Sequence, residues 1–232
     1  MPVKLGIIVA MDKEFAQLRH LLSDAREEQR GAFCFYRGRV GSKSVVLMQC
    51  GMGKVNAACG ATELIRTYQP EAVVSTGVAG GIDAALRVMD VVVSREVVFH
   101  DVWCGEGNAY GQVQGLPERF TADARLLAVA EGLSASLPEV RVVPGLICTG
   151  DQFITDRREL QAIKDKFPEG IAVDMESGAI AQTCHLHGVP FISFRVISDT
   201  PGIDNHLSQY NDFWDTVVQR SFAAIHRFIQ DI

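Results

Sequence analysis

Residues 172–199, AVDMESGAIAQTCHLHGVPFISFRVISD, constrain the fold more than any other stretch of the chain. They read as a strand tip, a helix over Ser177–His187 and a second strand over 190–197. Gly178, Ala179 and Ala181 keep the helix slim enough to pack closely on a sheet, and a mainly apolar run such as 190–197 suits a strand covered on both faces. A strand–helix–strand unit of this kind implies two parallel strands joined by a right-handed crossover. Their C-terminal tips then share one sheet edge, where open α/β sheets bind ligands. Glu176 follows the first strand and Asp199 the second, so two carboxylates 23 positions apart are expected at one crevice.

The same alternation runs along the chain. Strand signals fall at 4–9, 32–40, Lys43–Gln49, 72–76, 90–98, 142–148 and 171–175. Helix signals fall at 11–22, Lys54–Tyr68, 122–133, 156–166 and 209–231, the last with Phe213, Val217, Phe222, Ile225 and Phe228 near one face. Gly41-Ser42 between two strand signals marks a hairpin. Alternating strands and helices give an α/β class with a mostly parallel or mixed sheet. No repeat or linker composition divides the 232 residues, so one domain over 1–232 is expected. One long glycine-bearing loop, 100–117, stands out as functional or mobile.

Composition narrows the function classes. With 22 basic against 28 acidic side chains and a net charge of −6, nucleic acid and anionic membrane are poor partners. No apolar run approaches the ~20 residues of a membrane span, and the opening MPVKLGIIVAMDKEF reads as a first strand rather than a signal peptide. The six cysteines form no C-x-x-C pair, which reads as small, buried, reduced residues of a cytoplasmic protein. The six histidines carry no ligand spacing, so no metal is expected.

Four stretches that follow strands could carry chemistry. In Met11-Asp12-Lys13-Glu14, Asp12 suits a helix start through the macrodipole, and Glu14, one turn in, can point back over the first strand. Cys50-Gly51-Met52-Gly53-Lys54 resembles a phosphate loop only loosely, since G-x-x-x-x-G-K-[ST] is incomplete; a tight strand-to-helix turn is the better reading. Ser75-Thr76-Gly77-Val78-Ala79-Gly80-Gly81 is either a ligand cradle, where small residues let backbone amides approach closely, or a plain turn. Gly150-Asp151-Gln152-Phe153-Ile154 offers an apolar pair for a flat ring or for the core. Together they place glycines, apolar residues and three acids at one sheet edge without a cluster of Arg or Lys, which suits an uncharged polar ligand with a flat base.

Taken together, GIIVAMDKEF, CGMGKVNAACGAT, STGVAGGID, TGDQFI, AVDMESGAIA and RVISD, in this order and spanning nearly the whole chain, resemble the 5′-methylthioadenosine/S-adenosylhomocysteine nucleosidases of the nucleoside phosphorylase superfamily. The resemblance implies a single-domain three-layer sandwich with a central mixed β-sheet flanked by helices, a homodimer, no cofactor, and a place in methionine salvage. It implies hydrolysis of 5′-methylthioadenosine and S-adenosylhomocysteine to adenine and the 5′-substituted ribose, with 5′-deoxyadenosine as a further substrate. It also implies roles. Glu14 matches the carboxylate that activates water, and Asp199 the acid that protonates N7 of adenine. Glu176 matches the carboxylate that holds the ribose hydroxyls, with Met175 along the sugar. Phe153 matches the ring that stacks on adenine and Ile154 a backbone contact to it. Gly80 matches a backbone contact to substrate, and Met11 and Met52 match apolar walls.

Breaking an N-glycosidic bond needs a proton for the departing base and a base for water, hence carboxyls in different protonation states. The phosphorylases of this superfamily resemble one another in a phosphate-holding arginine shortly after the first strand; here that region reads VAMDKEF, with Glu14 and no arginine before Arg19, which favours water over phosphate as the attacking group. The chain departs from its relatives at Val78, where Ser or Thr is frequent, and in the slightly shorter segment 102–107, part of a loop that in relatives helps form the 5′ pocket and reaches a neighbouring subunit near Tyr110. His206, Gln209 and Tyr210 are candidates for closing that pocket. Aminodeoxyfutalosine hydrolysis, phosphate-dependent cleavage of purine nucleosides or uridine, and non-catalytic nucleoside binding are the competing readings.

Overall fold

The computed structural model describes residues 4–200, 206–216 and 220–232. The described strands are β1 (Leu5–Val9), β2 (Ser23–Arg30), β3 (Phe33–Val40), β4 (Lys43–Gln49), β5 (Ala72–Gly81), β6 (Val91–Phe99), β7 (Phe120–Thr121), β8 (Val142–Thr149), β9 (Gly170–Asp174) and β10 (Phe191–Asp199). The described helices are α1 (Asp12–Arg19), α2 (Lys54–Tyr68), α3 (Ala124–Ser136), α4 (Arg157–Lys166), α5 (Ser177–His187), α6 (His206–Thr216) and α7 (Arg220–Asp231). The predicted helix 209–231 thus corresponds to α6 and α7; its Val217 lies outside the described residues, while Phe213, Phe222, Ile225 and Phe228 are buried in the core.

All the described strands join one mixed sheet in the order β10-β6-β8-β9-β5-β1-β4-β3-β2, with β7 on β6. A further parallel pairing of β10 with β5 curls one half of the sheet back on itself. One apolar cluster joins one side of the sheet to α3, α6 and α7, and a second joins the other side to α2 and α5. This is the expected α/β arrangement, a central mixed sheet flanked by helices. The hairpin at Gly41-Ser42 is present, with Val40 opposite Lys43 and Gly41 at φ +57°.

One expectation fails. β9 and β10 are not neighbouring parallel strands: β9 runs antiparallel to the end of β5, and β10 runs parallel to β5. The two acids still meet, because both strands border the same residue. Gly80 pairs with Val173 on one edge and with Asp199 on the other. The stretch read as a cradle or a turn is therefore strand, since β5 continues from Ala72 to Gly81. The cysteines meet the expectation in part: all six are free thiols and Cys50, Cys148 and Cys184 are buried, but Cys59 and Cys104 are exposed.

The long pairing of β5 leaves an opening that positions the site. β10 follows one edge of β5 from Val73 to Gly80. On the other edge β1 covers Ala72–Ser75 and β9 covers Gly80-Gly81, so Thr76–Ala79 have no strand partner there. Buried N–H groups need acceptors, and the acceptor here comes from a side chain.

Candidate functional site

That side chain is Glu14. Its Oε1 accepts the Val78 N–H at 2.9 Å, and its Oε2 accepts the N–H groups of Ala10 at 2.9 Å and Met11 at 3.0 Å. The Ala10 and Met11 donors lie where β1 ends and α1 begins, where no helical acceptor exists. Gly77 makes room: a Cβ there would sit 2.4 Å from Glu14 Oε1. Burial pushes the Glu14 carboxyl above its ordinary range, while the Arg195 charge and the three N–H donors pull it back. Asp12, by contrast, is exposed in the first turn of α1, as a plain helix-start residue is.

Glu176 occupies the N-cap position of α5, and its Oε1 accepts the Gly53 N–H at 2.9 Å. The 50–54 segment is thus a tight strand-to-helix turn, and it aims an amide at a carboxylate 123 positions away. Burial, with the neighbouring Asp174 charge, lifts Glu176 to about 7; Arg195 and the Gly53 amide oppose the rise. Asp199 is the last residue of β10 and is buried, and the Ser198 hydroxyl donates to its Oδ1 at 2.6 Å.

These acids line one cleft that opens to solvent. All nine sequence-selected residues line it: Glu14, Glu176 and Asp199 with Gly80, Met11, Met52, Phe153, Ile154 and Met175. Phe153 is half exposed over the mouth and meets Tyr210 edge-on at 5.6 Å, and the Tyr210 hydroxyl reaches Met11 Sδ at 3.8 Å. Ile154 is buried and also packs into a small third core cluster against α4. Of the closing candidates, Tyr210 lines the cleft, whereas Gln209 accepts the Thr200 N–H at 3.0 Å and ties α6 to the end of β10. The His206 side chain lies outside the described residues. No Lys, Arg or His is among the described residues that line the cleft.

Two further residues were not picked from the sequence. Arg195 is 2% exposed beneath the cleft. Its Nε donates to Asp174 Oδ2 at 2.7 Å, one terminal nitrogen to Ser75 Oγ at 2.9 Å and the other to the Phe194 carbonyl at 3.1 Å. Asp174 also accepts the Thr149 hydroxyl at 2.5 Å and the Ser177 N–H at 3.1 Å. The signal was present: Arg195 is the one charged residue between Pro190 and Ser198, and a buried charge demands a partner.

Residues 4–230 match the family model described as the phosphorylase superfamily. A 5′-methylthioadenosine/S-adenosylhomocysteine nucleosidase of Chromohalobacter salexigens is 44% identical over 88% of each chain, and one of Anoxybacillus flavithermus is 42% identical over 99% of each. The chain belongs to this nucleosidase family of the phosphorylase superfamily. The crystal structure of the Neisseria meningitidis nucleosidase with methylthio-immucillin-A superposes with a TM-score of 0.94, at 34% identity over 99% of each chain. That of the Colwellia psychrerythraea nucleosidase with adenine gives 0.93, at 36% identity over 100% of this chain and 96% of the other. The nucleosidase fold of these structures is the curled mixed sheet described above.

Proposed function

We propose that this protein hydrolyses the N-glycosidic bond of 5′-methylthioadenosine and S-adenosylhomocysteine, releasing adenine and the 5′-substituted ribose, and that residues 1–232 form one such domain. The observation that carries the reading is a single cleft lined by four carboxylates, Asp174 paired with Arg195 and Glu14, Glu176 and Asp199 separately anchored, and by an exposed aromatic ring, without a cationic side chain among its described lining residues. Family membership supports the same chemistry.

In this reading Asp199 gives a proton to N7 of the base as the bond breaks, so the leaving group departs neutral. The sugar develops oxocarbenium character, and Glu176, between the Gly53 amide and the cleft, accepts hydrogen bonds from the ribose hydroxyls. Glu14, held rigidly by three amides, takes a proton from the attacking water. Phe153 stacks on adenine, Ile154 and Gly80 offer backbone contacts, and Met11, Met52 and Met175 form the apolar walls of the sugar and its 5′ substituent. Phosphate is disfavoured as nucleophile because it would approach carboxylates with no free cation beside them.

We further propose a cytoplasmic homodimer acting in methionine salvage. Six free thiols fit a reducing compartment. Val55 and Leu186, 74% and 63% exposed, flank an apolar groove of α2, α5 and the 100–117 loop that suits a second copy of the chain. The decisive assay measures free base from 5′-methylthioadenosine, S-adenosylhomocysteine, 5′-deoxyadenosine, aminodeoxyfutalosine, inosine and uridine, each with and without phosphate. Phosphate-independent adenine release from the first two is the expected result; strict phosphate dependence, or no release, overturns the reading.

A further inference from the structure

The Cys50–Lys54 turn leaves one charged side chain that the proposed chemistry does not use. Lys54 Nζ lies 2.8 Å from both carboxylate oxygens of Asp101 and 3.9 Å from Asp151 Oδ2. The Asp151 N–H donates to Asp101 Oδ2 at 2.9 Å, and the Lys54 N–H donates to Asp151 Oδ1 at 2.7 Å. The three residues follow β4, β6 and β8, so the cluster ties three strand ends together.

Its position explains why it is built this way. Helix α2 has Gly53 at its N-cap, at φ +89° and with no side chain to accept an N–H. Asp151 supplies the missing cap from 97 positions away. The positive φ keeps Gly53 a glycine, and a Cβ there would also crowd Asp151 Oδ1 at 3.1 Å. The same Gly53 gives its N–H to Glu176, and the same Asp151 begins the loop that carries Phe153. Asp101 holds both through Lys54 and the Asp151 amide. Its carboxyl lies below the usual range because these donors outweigh the lift from burial.

We infer that Lys54, Asp101 and Asp151 form a positioning cluster that locks the Gly53–Glu176 contact and the Phe153 loop into one unit, so that the sugar and base subsites are set together. The substrate assignment rests on the function proposed above; the mechanical coupling does not. Neither Lys54 nor Asp101 lines the cleft.

The test compares Lys54→Met, Asp101→Asn and Lys54→Arg in the full-length protein, with sedimentation to check that the assembly state is unchanged. Hydrogen–deuterium exchange is followed in segments 50–54 and 150–154, beside kcat and KM for 5′-methylthioadenosine. Lys54→Met and Asp101→Asn are expected to speed exchange in both segments together, about tenfold or more. KM should rise about tenfold with kcat changed less than about threefold, since ground-state and transition-state contacts weaken alike. Lys54→Arg should recover most of both. Opening of one segment without the other overturns the coupling, as does a lowered melting temperature with unchanged KM. If the unmodified protein releases no adenine, the substrate reading fails on its own while the exchange data still decide the cluster.

Discussion

Glu176 is held in a place that resists its charge, and removing that charge should stabilise the protein. It is 8% exposed, and the Asp174 carboxylate adds to the burial that lifts it from 4.5 to about 7. At ~1.4 kcal/mol per unit, a shift of this size makes ionisation in the folded state cost about 3 kcal/mol. The folded value lies above the unfolded one, so between pH 4.5 and 7 the folded chain binds more protons. Stability from this group is therefore full below the unfolded value and lost as pH rises through about 7. Glu176→Gln keeps the shape and an oxygen for the Gly53 N–H while removing the charge. Relative to the original protein it should gain about 3 kcal/mol at pH 8 and less than about 1 kcal/mol at pH 5. Urea unfolding at 25 °C at both pH values, with equal m-values, measures this. The same substitution should depress adenine release strongly, which separates a functional cost in stability from a structural need. A Gln variant less stable than the original at pH 8, or one with the same gain at both pH values, refutes the reasoning.

Asp199→Asn retains shape but has no acidic proton; adenine release from 5′-methylthioadenosine should fall by about 10²–10⁴ with an unchanged melting curve, and near-normal turnover would remove Asp199 from the acid role. Gly77→Ala pushes a methyl to within 2.4 Å of Glu14 Oε1; turnover should fall about 100-fold by misplacing the base while far-ultraviolet circular dichroism stays unchanged, and activity within threefold would show that Glu14 has room to move. Arg195→Met strands the buried Asp174 carboxylate and should cost about 3–5 kcal/mol in urea unfolding at neutral pH; a loss under 1 kcal/mol would show that the Arg195–Asp174 pair is not what holds the floor of the cleft.

Much of this architecture was legible because apolar runs and turn residues are local signals. Lys43–Gln49, Lys54–Tyr68 and Ser177–His187 have the same bounds in sequence and structure. β2 was invisible for a physical reason: SDAREEQR has no apolar alternation, since it is an exposed edge strand held by backbone pairing to β3. Its charges suit an edge that must not recruit another chain. The end of β5 was hidden by its glycines, which read as a cradle or a turn although each is paired in the sheet, Gly77 with β10, Gly81 with β9 and Gly80 with both. At the site, residue types and strand ends pointed to the three acids and the stretches around them, the family resemblance supplied the rest of the nine candidates, and all nine line one cleft. Pairings were not legible. Gly53 with Glu176, Val78 with Glu14 and Arg195 with Asp174 depend on strand register and on how far the sheet curls, and neither is written in spacing.

The curl also explains how so many carboxylates share so small a volume. Asp174 is neutralised directly by Arg195, the one cation among the described residues that is buried beneath the cleft. Glu14 makes no ion pair among the described residues; the Arg195 charge reaches it at longer range, and amides from β1, α1 and the open edge of β5 hold it directly. Amides hold a charge without offering a mobile cation that an anionic nucleophile could use. Glu176 receives a single amide and remains half-protonated near neutrality. Like charges gathered in one buried cleft repel when all are ionised, and the Asp174 and Glu14 charges both lift Glu176. A cleft of this kind favours keeping at least one proton among its acids, and a bond cleavage that must protonate a departing base draws on that proton. The open edge of β5 is thus the common origin of the cleft, of the amide that fixes Glu14 and of the crowding that sets the acids apart in protonation.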